Sequence, residues 1–172
     1  MTTTPGTVPP RHIDLAEAVL LTLARLGFGH FTGVPCATLH GVFRLLEDAP
    51  RSPHPELRDL VYLPAPHEDA AISMATGMAL TGGDAAVFLA HTGPGHALAA
   101  LTALNRAYEV PLLVVAGRPA KDAEEEPDGL DAQFAPPGVV LDPLRPEEAV
   151  GECHRLMQRT RRPAVLIVTD PL

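Results

Sequence analysis

The chain has 172 residues, 46% of them hydrophobic and 4% aromatic, with no tryptophan and a formal net charge of −8. That length buries the core of one domain, and that hydrophobic content argues against a disordered chain. The acidic balance argues against nucleic acid or an anionic membrane as partner, since both need basic patches. Cys36 and Cys153 lie far apart and form no metal or disulfide spacing, which reads as two reduced thiols of a cytoplasmic protein. Residues 1–11 are polar and proline-rich, without the basic and apolar regions of a signal peptide. They read as a flexible lead-in to a single domain over 12–172. No apolar run is long enough to span a bilayer.

The elements follow in order. Ile13, Ala16, Val19, Leu20, Leu23 and Leu26 form a helical stripe, with Asp14 at its start and Gly27 placed to end it. His30 to Pro35 reads as a short strand and turn, and Leu39 to Leu46 as a second helix. Asp48 to Pro55 is expected as a polar loop. Leu60 to Leu63 is an apolar strand that runs through two prolines into an alanine-rich helix ending near residue 80. Gly82-Gly83-Asp84 turns the chain, and Ala85 to Ala90 is a strand-length apolar run. A glycine-rich loop, His91 to His96, leads into a small-residue helix, Ala97 to Tyr108. Pro111 to Ala116 is another strand. Lys121 to Pro137 is an acidic surface loop. Val139 to Leu141, Pro146 to Arg161 and Ala164 to Val168 read as strand, helix and strand.

Apolar strands alternating with helices predict an α/β three-layer sandwich. Its mostly parallel sheet has about six strands, buried on both faces between helices. In such sheets ligands bind beyond the carboxyl ends of the strands. Three loops fall there: Gly33 to Thr38, Pro64 to Asp69 and His91 to His96. They leave three different strands, so they converge on one crevice.

Candidate chemistry concentrates in those loops. Glu68 opens the alanine-rich helix, where a carboxylate suits the unpaired N–H groups and the positive dipole end. It is either a helix-start carboxylate or a working acid. Thr92-Gly93-Pro94-Gly95 suits backbone N–H groups aimed at an anion or a ring edge, or is a plain tight turn. It lacks both the P-loop ending and the dinucleotide fingerprint. His67, His91 and His96 lack the spacing of a helical zinc site. They are acid/base candidates, or they cap helices and face solvent. Cys36 is a buried small residue, or a nucleophile if a base lies within reach.

Gly33-Val34-Pro35, His67-Glu68-Asp69-Ala70-Ala71 with Ala75-Thr76-Gly77-Met78-Ala79, Thr92-Gly93-Pro94-Gly95 with Asn105, and Val110-Pro111-Leu112-Leu113 form an ordered set. That set resembles the pyrimidine-binding (PYR) domain of thiamine diphosphate enzymes over nearly the whole chain. It is most similar to the phosphonopyruvate and sulfopyruvate decarboxylase branch, in which one alpha subunit is a free-standing chain of about this length. The resemblance implies that Glu68 hydrogen-bonds N1′ of the cofactor's aminopyrimidine and so activates it for attack on a 2-oxo acid. It implies cofactor contacts from Val34, Pro35, Glu68, Thr92, Gly93, Pro94, Gly95 and His96. Handling of protons or of the substrate carboxylate would fall to His67, His91 or His96.

The same resemblance implies a partner. The family's diphosphate-binding (PP) domain carries a Gly-Asp-Gly motif followed by Asn, which holds Mg²⁺ and the diphosphate. This chain has only Gly82-Gly83-Asp84 and Asp128-Gly129. A PP-domain beta subunit would then supply the metal half, in an assembly of two copies of each subunit (alpha2beta2) or larger. Where the family's simpler loop often has Asn-Ser-Gly, this chain has His91-Thr92-Gly93. The candidate cations are the histidines, Arg118 and Lys121. The substrate reads as a phosphonopyruvate- or sulfopyruvate-like acid. The other readings are a carboligating relative, a non-catalytic module of the same fold, and a nucleotide-binding domain using the Thr92 to His96 loop.

Overall fold

The computed structural model describes residues 14–90, 99–118 and 136–172. Helix α1 spans Leu15–Arg25 and buries Ala16, Val19, Leu20 and Leu23 of the predicted stripe. Gly27 ends it at φ 98°, a left-handed backbone value that only glycine adopts without a Cβ clash. Strand β1 (Phe28–Gly33) follows, then a 3-10 turn (Ala37–Leu39) and helix α2 (His40–Glu47). The expected loop 48–55 is more ordered than that. It winds a 3-10 turn (Ala49–Arg51), and helix α3 (Pro55–Arg58) follows it. Each carries proline in its first two positions, where a missing N–H costs no helical bond.

Strand β2 (Val61–Pro64), helix α4 (Glu68–Leu80) and strand β3 (Asp84–Ala90) come next. The described part of the next helix is wound as a π-helix, α5 (Leu101–Arg106). Strands β4 (Leu113–Gly117) and β5 (Gly138–Val140), helix α6 (Pro146–Thr160) and strand β6 (Ala164–Val168) complete the described elements.

The six strands form one sheet in the order β2-β1-β3-β4-β6-β5, every pair parallel. One hydrophobic cluster lies on the side of α1, α2, α3 and α6; the second lies under α4 and α5. The faces follow from the topology. Crossovers of one hand must change face whenever the direction across the sheet reverses. The steps β1 to β2 and β5 to β6 run one way, through α2–α3 and α6. The steps β2 to β3 and β3 to β4 run the other way, through α4 and α5.

Burial on both faces holds for β3 and β4 and fails at the edges. Val61 and Leu63 of β2 are 42% and 43% exposed, and β5 is exposed or half-buried along its length. The reason is coverage: α4 lies over β1 and β3 and leaves β2 bare on that side.

Close packing of α4 on the sheet rests on small residues, with Ala71 and Ala75 fully buried beside Ile72. Among the described residues one polar link joins α4 to α5. The buried Thr76 hydroxyl lies 2.7 Å from the carbonyl of Ile72 and 3.0 Å from Asn105 Oδ1, and donates to one at a time. Asn105 Nδ2 donates to the carbonyl of Val110 at 3.4 Å. Asn105→Ala leaves the Val110 carbonyl without that donor inside the protein. The expected cost is about 2 kcal/mol, read as a lower urea midpoint at unchanged slope.

Candidate active site

Strands β1 and β2 end at one level, beside Phe88 of β3, which runs on to Ala90. Gly33 pairs with Pro64 of β2 and with Phe88 of β3. The pairing continues one step beyond: Val34 N–H donates to the carbonyl of Phe88, and Ala65 N–H to the carbonyl of Gly33, each at 3.0 Å. The segments leaving β1 and β2 therefore start side by side. Neighbouring β1 and β3 lead to helices on opposite faces, the topology at which α/β sheets bind ligands beyond the carboxyl ends of their strands. Val34 packs half-buried against the cluster under α4, and Pro35 is exposed. Of the sequence candidates, His91, Thr92, Gly93, Pro94, Gly95, His96 and Lys121 lie outside the described residues. Arg118 stands just past β4, its N–H donating to the carbonyl of Val168 at 2.7 Å.

The start of α4 sorts the roles of its acids. His67 is the extended N-cap residue, and its carbonyl accepts the first helical bond, from Ala71 N–H at 3.0 Å. Asp69 Oδ1 accepts the Ala70 N–H at 3.0 Å and is also paired with His67 Nδ1. The His67 bond, with help from the Ala70 N–H, holds the Asp69 carboxyl below its ordinary range. Glu68, the first helical residue, is half-buried and makes no side-chain hydrogen bond to any described residue. Asp69, not Glu68, is thus the acid that touches the helix backbone. The Glu68 carboxyl is thus uncommitted among the described residues.

Burial weighs against a nucleophilic role for either thiol. Burial pushes the Cys36 thiol up, against backbone bonds from Leu39 and Thr38 that pull the other way. Cys153 is pushed up to about 12 by burial, with Glu152 adding to it. Both favour the unreactive protonated form. At pH 8, iodoacetamide is expected to leave Cys153 unlabelled in the folded chain and to label Cys36 slowly. Both should react readily in urea, as mass spectrometry would show. Among the described residues no group of three His, Cys, Asp or Glu side chains is arranged for a metal ion.

Two side-chain pairings escaped the sequence reading: Asp69 with His67, and Thr76 with Asn105. The first carried a signal, a histidine two residues ahead of an acid at a helix start. Thr32 of β1 is fully buried, and its hydroxyl is without a partner among the described residues.

The family model described as "Thiamine pyrophosphate enzyme, N-terminal TPP binding domain" matches residues 13–136, well over half of the chain. The chain belongs to this thiamine pyrophosphate enzyme family. The sulfopyruvate decarboxylase subunit alpha of Methanococcus maripaludis is 28% identical over 103 residues, covering 60% of this chain and 57% of that protein. The subunit of the same name from Methanocaldococcus jannaschii is 27% identical over 82 residues, covering 48% and 44%. The matched stretch thus spans about half the length of these relatives. Among solved structures, the 2-oxoglutarate:ferredoxin oxidoreductase of Magnetococcus marinus superposes with a TM-score of 0.58 at 18% identity. It covers 89% of this chain and 28% of that one, and at this identity the likeness speaks for the fold. No helix among the described residues is long and apolar enough to cross a membrane.

Proposed function

We propose that residues 12–172 form the PYR-domain (alpha) subunit of a two-subunit, thiamine-diphosphate-dependent 2-oxo-acid decarboxylase. Its substrate would be a sulfopyruvate- or phosphonopyruvate-like acid. The observation that carries this reading is Glu68. It is a half-buried carboxyl at the mouth of α4, uncommitted among the described residues, in a chain of the thiamine pyrophosphate family. The fit to an aminopyrimidine is chemical. A ring nitrogen needs one group that both accepts and returns a proton, and a free carboxyl supplies it. Partial burial strengthens that bond relative to water.

When bound, the cofactor supplies the electron sink for the electrons left by loss of CO₂. The rest of this half-site belongs to the chain. Glu68 holds a proton at N1′ of the pyrimidine. Val34 and Pro35, anchored through the Val34 bond to Phe88, wall the crevice beside β1. Thr92, Gly93, Pro94, Gly95 and His96 are assigned cofactor contacts on the strength of the family resemblance. Mg²⁺ and the diphosphate are assigned to a PP-domain partner.

Co-expressed with that partner, the chain is expected to decarboxylate sulfopyruvate or phosphonopyruvate with a kcat/KM at least about tenfold above that for pyruvate, a margin of about 1.4 kcal/mol. A preference for pyruvate, or an acyloin as the main product, would move the assignment to a carboligating relative.

A further inference from the structure

We propose that Asp69 is a positioning residue that fixes the tautomer of His67, so that His67 Nε2 serves as the proton-transfer atom beside Glu68. This rests on the decarboxylase reading above. The geometry supplies the argument. His67 Nδ1 faces Asp69 Oδ1, two residues on, across the start of α4. Asp69 also accepts the Ala70 N–H at 3.0 Å and stands in the first turn, where the helix dipole favours its ionised form.

An ionised carboxylate only accepts hydrogen bonds, so the hydrogen between the two groups belongs to Nδ1. A neutral ring held this way carries its lone pair on Nε2. The His67 side chain is 60% exposed, and with Nδ1 taken by Asp69 the ring nitrogen left for a substrate or water is Nε2. Among the described residues, Glu68 is the flanking acid not engaged in this arrangement.

The reaction needs such an atom. Decarboxylation of a 2-oxo acid to an aldehyde breaks the bond from the carbonyl carbon to the carboxylate and forms a C–H bond there. One proton must be delivered. Protonated His67 gives it from Nε2, keeps its Nδ1 hydrogen, which it donates to Asp69, and takes a replacement from water. The proton balance closes with no further reactant. Asp69 touches neither substrate nor cofactor; it acts through the imidazole.

The test combines a tautomer measurement with a double-mutant cycle. In ¹⁵N-labelled chain, imidazole nitrogen–proton correlation spectra are expected to show neutral His67 protonated at Nδ1, and Asp69→Asn is expected to lose that state. In the holoenzyme with its partner, D69N is expected to lower kcat about tenfold with KM nearly unchanged. In the His67→Gln background the same change should cost less than about twofold, because the residue it acts through is gone. Two results would overturn the proposal. One is neutral His67 protonated at Nε2 in the wild type. The other is an equal D69N loss with and without His67, which marks a purely structural helix-start role. Failure of the wider reading shows differently: Glu68→Gln would keep full activity, while the tautomer would be unaffected.

Discussion

Glu68→Gln in the assembled enzyme is expected to lower kcat by about 10²–10⁴-fold while leaving the fold in place. The substitution keeps the size and the hydrogen-bonding reach of the side chain. It removes the ability to exchange a proton with a ring nitrogen. A structural role for Glu68 predicts the reverse pattern. As a helix-start carboxylate alone, it would contribute at most about 1 kcal/mol through the dipole, and its loss would show in stability before it showed in rate. The two roles separate because the backbone bond at this helix start is made by Asp69 and not by Glu68. Thermal melts of the variant chain should therefore stay within a few degrees of wild type. Single-turnover decarboxylation should be nearly abolished. A variant that turns over near the wild-type rate would remove Glu68 from the chemistry.

Gly33→Ala is expected to be the most damaging small change to the framework of the site. A Cβ on Gly33 would lie 2.3 Å from the carbonyl oxygen of Phe88, 3.0 Å from Phe88 Cβ and 3.1 Å from the Phe43 ring. The carbonyl cannot step aside cheaply. It already accepts the Val34 N–H at 3.0 Å, and Phe88 is fully buried, with its ring 5.9 Å from that of Phe31. One methyl group thus forces β1 from β3 at the point where the crevice begins. The expected cost is about 3 kcal/mol, seen as a drop in the urea midpoint. Cofactor affinity should fall with it, because Val34 and Pro35 ride on the displaced strand end. An unchanged midpoint would mean that the ends of β1 and β3 are not so tightly apposed.

Much of this architecture is legible in residue pattern alone. The runs Ala85–Ala90 and Pro111–Ala116 read as buried strands because both faces are apolar, and β3 and β4 fall on them. The stripe from Ala16 to Leu23 has the period of a helix packed on one side. The acid at position 68 followed by small residues points to a close-packed helix with a carboxyl at its mouth, and α4 has that form. Exposure of β2 was not legible. Val61 and Leu63 are as apolar as any core strand, and only the path of α4 over β1 and β3 decides that they stay uncovered. The π winding of α5 was equally hidden. It places Asn105 against Thr76, a partner 29 positions away. At the site, sequence alone left Glu68 between cap and acid. In the structure Asp69 pairs with His67 and takes the Ala70 N–H, while Glu68 makes no side-chain hydrogen bond to a described residue. That distinction depends on side-chain direction at one helix turn, which no local pattern encodes.

The central claim is that this chain is half of a thiamine diphosphate active site. Its most direct test is CO₂ release from sulfopyruvate or phosphonopyruvate in the presence of thiamine diphosphate and Mg²⁺. The chain, its PP-domain partner and their mixture would be assayed side by side. The account predicts release by the mixture at a rate far above the sum of the two chains alone. Release by the isolated chain at the mixture's rate would contradict it, as would a mixture that decarboxylates no 2-oxo acid.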